Sequence, residues 1–368
     1  HLHLEDLVQR AIAAGGQSLF QDSPAAGLAP LRGELGRRLA MRGCIKPSAE
    51  RIFILSGSQQ GLYLVAQLLL HPGDVVLVES PTYLGALAVF RAVGARLVKV
   101  PMDDEGMQVE ATARILSHID VHLIYTIPNF QNPTGRTMSA ERRMALLTLA
   151  QRHQVPILED DLYGELAYDV TPPAPLRAAD EEGCVLYLSG LSSILGPGLR
   201  LGWLLVPSAL IKPLTALRQA MDLHPDHFVQ EVVHTLLIDG SFDTHLEWVR
   251  STYARRRETM LGALEKHMPS GVGWNRPQGG FYIWCSLPRP LDSEELLDKA
   301  VEKGVVFLPG SVFPSDGRGE SFLRLSFVCP SAGEIEEGVC RLAVAIKELG
   351  ASIREGRSSL PGTGRPVV

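Results

Sequence analysis

The sequence predicts an α/β protein: a large domain around a mostly parallel sheet, and a smaller α+β domain. Three observations carry that prediction. Short, nearly continuous apolar runs such as "DVVLVES" and "VPILED" recur, with helical stretches between most of them. Gly, Pro, Ser and Asn gather where those runs end. The 368 residues, 45% hydrophobic and 21% charged, supply enough apolar material for a large core and two domains. Strands without polar alternation are buried on both faces, as in a parallel sheet covered by helices. Function in such a fold belongs to loops at strand ends.

In chain order, "APLRGELGRRLAMRG" sets Leu31, Leu35 and Leu39 on one face of a helix that stops at Gly43. Ser58 is placed to cap a helix through "QQGLYLVAQLLL". "DVVLVES", "VHLIYTI", "VPILED", "CVLYLSG" and "GWLLVP" read as strands between turn signals. The pattern then becomes one long helix, Thr244 to Met268, followed by the strand "GGFYIWCSL" and a helix near Ser293–Gly304. The strands "VVFLPG" and "FLRLSFV" and a last helix, Ser331–Leu349, complete the smaller domain. The expected boundaries are an N-terminal segment (1–35) packed with the small domain, a large domain (36–243) and the small domain (244–349). A tail (350–368) ends in "REGRSSLPGTGRPVV", which lacks an apolar period and predicts disorder.

Several classes are disfavoured. The longest apolar run, Gly61–Leu70, is too short to span a bilayer, and "HLHLEDLVQR" lacks a signal-peptide pattern. The missing initiator methionine predicts a fragment or processed form. A net charge of −6 speaks against nucleic-acid binding by this segment alone. Cys44, Cys184, Cys285, Cys329 and Cys340 are scattered and odd in number, which predicts neither a metal site nor a disulfide framework and fits a reducing cytoplasm.

Six loops hold polar residues suited to chemistry. "SGSQQG" opens a helix, and its N–H groups suit an anion or an ordinary cap. "ESPTYLG" delivers Tyr83 to a strand tip, to stack on a flat ligand or pack on the next helix. "IPNFQNPTG" presents Asn132, as a ligand contact or a turn former. In "ILEDDLYGE", Asp160 suits a cationic nitrogen and Tyr163 a ring oxygen, or one or both acids form a solvated helix start, Asp161 more readily than Asp160. In "LSGLSSILGPGLRLGW", Ser192, the turn amides and Arg200 suit a phosphate dianion, or Arg200 pairs with a buried acid. In "FLRLSF", Arg324 interrupts an apolar strand and either meets a carboxylate or reaches solvent.

The order of these loops resembles the class I/II aminotransferase family, fold type I enzymes that use pyridoxal 5'-phosphate (PLP), from about Gly27 to Leu349. The similarity is greatest to the branch shared by aminoadipate-type aminotransferases and the C-terminal domains of MocR-type regulators. It implies a mostly parallel seven-stranded sheet sandwiched by helices. By the resemblance, Ser58 and Gln59 sit at the phosphate-binding helix start and Tyr83 stacks on the pyridine ring. Asn132 and Tyr163 bond the ring hydroxyl, and Asp160 pairs with the pyridinium nitrogen. Arg200 and Ser192 bind the phosphate, while Arg324 clamps a substrate α-carboxylate, with Asn132 also near the substrate. A homodimer, an α-amino acid and a 2-oxo acid are the implied partners.

The chain departs from the family at three positions. Members read "SFSK-x-L-x-PGLRLG", and their lysine joins the cofactor and shuttles protons; this chain has Ser193 there. Gly190 replaces a hydroxyl-bearing residue, and Asp22 replaces a tyrosine that reaches the neighbouring subunit's phosphate. Serine cannot form an imine and carries protons poorly without a base beside it. The catalytic positions implied are therefore Ser193 and Tyr83, with PLP held non-covalently and little or no turnover. Two alternatives stand beside that: a non-catalytic effector domain of a MocR-type regulator whose DNA-binding segment precedes His1, and a fold kept without cofactor.

Overall fold

The computed structural model describes residues 4–44, 47–171, 173–313 and 319–358. The chain divides into two units, His1–Thr252 with Pro277–Gly280, and Tyr253–Arg276 with Phe281–Val368.

In the first unit, α1 (Leu4–Gly15) and α2 (Ala29–Met41) precede β1 (Ile52–Leu55). α3 (Ser58–Leu69) leads to β2 (Val75–Ser80), and α4 (Leu84–Ala92) to β3 (Arg96–Asp103) and β4 (Gly106–Met107). α5 (Val109–Leu116) precedes β5 (Leu123–Thr126), and α6 (Ala140–His153) precedes β6 (Ile157–Asp160). β7 (Val185–Gly190) is separated from β8 (Gly202–Leu205) by the one-turn α7 (Ser192–Leu195). α8 (Ser208–Met221), α9 (His227–Ile238) and the first part of α10 (Ser241–His267) follow.

These strands form one sheet in the order β1-β8-β7-β6-β5-β2-β3-β4. β3, β2, β5, β6 and β7 are parallel in succession, whereas β8 runs antiparallel to both β1 and β7. Only Leu191–Leu201 joins β7 to β8, a link too short for the crossover that parallel neighbours need. β2 is buried at all six positions and β5, β6 and β8 at all four, so both faces are covered. On one face Leu77, Ile124, Ile157 and Val185 pack with Leu116, Leu146 and Leu147 of α5 and α6. Each such side chain contributes about 1.5–3 kcal/mol of burial.

In the second unit, β9 (Gly273–Trp274), β10 (Tyr282–Ser286), β11 (Leu308–Pro309) and β12 (Phe322–Ser326) form an antiparallel sheet ordered β11-β12-β10-β9. α11 (Ser293–Glu302) and α12 (Ala332–Ser358) accompany it.

Some expectations are corrected. Ser58 is the first residue of α3, not its cap; Gly57 caps the helix and makes no side-chain bond. "VVFLPG" supplies only the two-residue β11. The N-terminal segment belongs to the first unit, where α1 packs on α9. α12 continues past Leu349 to Ser358, and residues 359–368 of the tail lie outside the described residues.

Candidate functional site

The polar loops of the first unit follow the C-terminal ends of β1, β2, β5, β6 and β7. Asp160 closes β6 and is 2% exposed. Burial pushes its carboxyl up to about 7 and the Asp161 charge adds to the rise, against the Tyr125 hydroxyl, which donates to Oδ2 at 2.8 Å. Oδ1 of the same carboxyl is buried without a hydrogen-bond partner. Such an atom is costly to leave unpaired, so the position suits a cationic N–H.

Asp161 is not the solvated helix start that its position in the sequence predicted: it is 1% exposed. Burial alone would raise its carboxyl, but Arg42 at 2.8 Å outweighs that and holds it below the usual carboxylate range. Asn129 Nδ2 donates to it at 2.7 Å and the Tyr187 hydroxyl at 2.9 Å. Arg42 comes from the residue just after α2, so the pair staples distant chain onto the end of β6.

Two further loops are joined by one buried acid. Glu79, near the end of β2, accepts from Thr126 Oγ1, from the Ile127 amide at 3.1 Å and from Gln131 Nε2 at 2.9 Å. Gln131 Nε2 also donates to the Pro81 carbonyl at 2.8 Å. The loop that carries Tyr83 is thereby tied to the loop that carries Asn132. Burial pushes Glu79 up to about 7 in spite of its donors. The Tyr83 hydroxyl donates to Gln59 Oε1 at 3.1 Å, and its ring lies over Gly85, where a Cβ would come within 2.4 Å. Asn132, ahead of a cis proline, and Tyr163 are both buried.

The remaining residues face the start of α3. Gly57 sits at φ +88°, and a Cβ there would lie 2.3 Å from the Arg200 guanidinium. Glycine is required on both counts. Arg200 Nη1 reaches Ser192 Oγ at 3.4 Å, and Nη2 the Ser56 carbonyl at 3.5 Å. Among the described residues it pairs with no buried acid; a helix N-terminus, a hydroxyl and a guanidinium converge, which is a setting for a phosphate.

Ser193 lies on α7 and donates through Oγ to the Leu162 carbonyl at 2.7 Å. Among the described residues, the lysines of this unit, Lys99 and Lys212, are solvent-exposed. The Asp22 side chain is 100% exposed and meets His224 Nε2 at 3.3 Å, turned toward a group that can be cationic. Arg324 belongs to the second unit, on β12, with its guanidinium 4.1 Å above the Tyr282 ring and 5.5 Å from Phe313. The first unit thus supplies Ser58, Gln59, Tyr83, Asn132, Asp160, Tyr163, Ser192, Ser193 and Arg200.

Sequence reasoning missed Glu79, Tyr125 and Arg42. Glu79 lies one residue from the end of "DVVLVES" as Asp160 lies at the end of "VPILED", so the signal used for one applied to the other. Tyr125 is a hydroxyl inside "VHLIYTI"; Arg42 has no local signal, since its partner is far away in sequence. The donor set fits the cofactor implied by the sequence: an unpartnered carboxylate oxygen for a pyridinium, and an anion cup at α3. No group of three His, Cys, Asp or Glu is arranged for a metal among the described residues, and no helix there is long and apolar enough to cross a membrane.

Comparison with known proteins gives the family. The family model for aminotransferase class I and II matches residues 1–342. The chain is 38% identical over 348 residues to aromatic-amino-acid aminotransferase 1 of Thermococcus litoralis, covering 93% of this chain and 84% of that protein. It is 36% identical over 323 residues to the HTH-type transcriptional regulator YdfD of Bacillus subtilis, covering 88% of this chain and 66% of that one. The solved structure of LysN, an α-aminoadipate aminotransferase of Thermus thermophilus complexed with N-(5'-phosphopyridoxyl)-L-leucine, aligns with a TM-score of 0.89 at 36% identity, covering 95% of this chain and 89% of that one.

Proposed function

The chain belongs to the aminotransferase class I and II family, and from that premise we propose that it holds PLP non-covalently and receives an α-amino acid or 2-oxo acid beside it, with amino-group transfer slow or absent. The observation that carries the cofactor reading is Asp160 Oδ1, a buried carboxylate oxygen without a donor. When bound, PLP supplies an electron sink for bond changes at the amino acid's Cα.

The chain's own residues do the rest. Asp160 would accept from the pyridinium N–H through Oδ1, gaining the counter-charge that its burial calls for. Asn132 and Tyr163 would bond the ring hydroxyl, and Tyr83 would support the ring face. The first-turn amides of α3, with Ser58, Gln59, Ser192 and Arg200, would hold the phosphate. Arg324 is assigned to the substrate α-carboxylate on the resemblance and its fork of donors.

Ser193 limits turnover in this reading. Its proton is committed to the Leu162 carbonyl, and it offers no amine to exchange with the substrate's. Loss of one positioned acid–base group slows a reaction by about 10² to 10⁴. The reading includes a homodimer and a cytoplasmic setting, which rest on the resemblance and the cysteine pattern. Calorimetric titration of the protein with PLP tests it: the expected result is saturable binding reversed by dialysis, and absence of binding contradicts it.

The similarity to the Bacillus regulator favours a second reading, in which occupancy of the same site rather than turnover is the output. A helix-turn-helix segment upstream in the reading frame would support it, and a start codon adjoining His1 would count against it.

A further inference from the structure

Behind the turn that bears Gly57 lies a closed ring of polar side chains to which none of the cofactor contacts above gives a role. Arg218, on α8, is fully buried. Its Nη1 donates to the Ile54 carbonyl at 3.1 Å and to Gln60 Oε1 at 2.9 Å, and its Nη2 to Ser56 Oγ at 3.4 Å. Its Nε forms an ion pair with Asp222 Oδ1 at 2.5 Å. Gln60 closes the ring: Oε1 also accepts from the Ser56 amide at 2.7 Å, and Nε2 donates to Asp222 Oδ2 at 2.7 Å.

A buried guanidinium is tolerated only when its charge and donors are used. Here they converge on Ser56, the residue before Gly57, and on Gln60 in the first turn of α3. That turn needs holding. Gly57 at φ +88° is the most conformationally free kind of residue, so its turn keeps one shape only when its neighbours enforce it. Arg200 cannot enforce it, because its own contacts run from 3.4 to 3.5 Å. Arg218 and Asp222 balance in charge, so the ring acts through geometry rather than added attraction. Lysine lacks the planar fork that reaches three acceptors at once.

We propose that Arg218 is a positioning residue for phosphate binding: through Ser56 and Gln60 it fixes the Gly57 turn and the first-turn amides of α3 opposite Arg200. This inference rests on the reading that the cup holds the cofactor's phosphate. Calorimetry with pyridoxamine 5'-phosphate and with pyridoxamine tests it, since neither ligand has an aldehyde to react with surface lysines. In Arg218→Met, affinity for the phosphorylated ligand falls about tenfold, as for one lost hydrogen bond, while pyridoxamine affinity keeps its wild-type value. Gln60→Ala leaves the Arg218–Asp222 ion pair in place and shows the same selective loss, which decides the matter if Arg218→Met does not fold. Undiminished affinity for pyridoxamine 5'-phosphate in the folded variants, or equal weakening of both ligands, overturns the inference alone. A wild-type protein that binds neither ligand overturns the reading of the site, and the inference with it.

Discussion

Around Asp160 and Asp161 the partners are buried, or partly buried in Arg42, and the hydrogen bonds run from 2.7 to 2.9 Å; around Arg200 the side chain is exposed and its contacts run from 3.4 to 3.5 Å. Both regions end at loops on one sheet, yet the first is finished by folding and the second is left loose. Under the proposed function, the difference follows from what each must do. A carboxylate beside a ring nitrogen has to be held in a dry place, and its burial must be balanced by neighbours before any ligand arrives. A guanidinium at the mouth of a helix keeps its hydration until an anion replaces it, so nothing demands a tight grip beforehand.

The largest effect is expected where the tight region is cut. Arg42→Ala leaves Asp161 buried without its cation and should lower stability by about 3–5 kcal/mol in urea unfolding. A loss under about 1 kcal/mol, the range of exposed pairs, would erase the contrast. Next comes Asp160. Its folded carboxyl is raised to about 7 by burial, against about 3.9 in the unfolded chain. Its contribution to stability is therefore fully present below the unfolded value and is lost as pH rises through 7. Without ligand, Asp160→Asn should gain on the wild type between about pH 4 and 7, by up to about 1.4 kcal/mol per pH unit, in melts at each pH. A pH-independent difference would show that the carboxyl is not held as described. The smallest effect belongs to the loose region: Arg200→Gln should shift stability by no more than about 0.5 kcal/mol.

The sheet was legible where strands are mostly apolar, because burial on both faces leaves that mark. β3 escaped notice because it is half-exposed along much of its length, whereas β1 was passed over although it is as short and as buried as β5. The candidate site was legible where one residue interrupts an apolar run, as at Asp160, or where turn formers follow a strand, as at Asn132. What stayed hidden depends on partners far apart in sequence. Arg42 with Asp161, and Arg218 with Ser56 and Gln60, meet only after helices α2 and α8 dock on the sheet. Asp161 was misread for that reason: beside Asp160 it looks like surplus charge at a helix start, and only Arg42 explains its burial.

The proposal that PLP is held without a covalent tether is tested most directly by borohydride reduction in the presence of PLP, followed by peptide mass analysis, on the wild type and on Ser193→Lys. The expected result is no phosphopyridoxyl group on the active-site loop of the wild type and stoichiometric attachment at position 193 in the variant. Attachment to another lysine in both proteins, with amino-group transfer to match, would contradict the reading of Ser193.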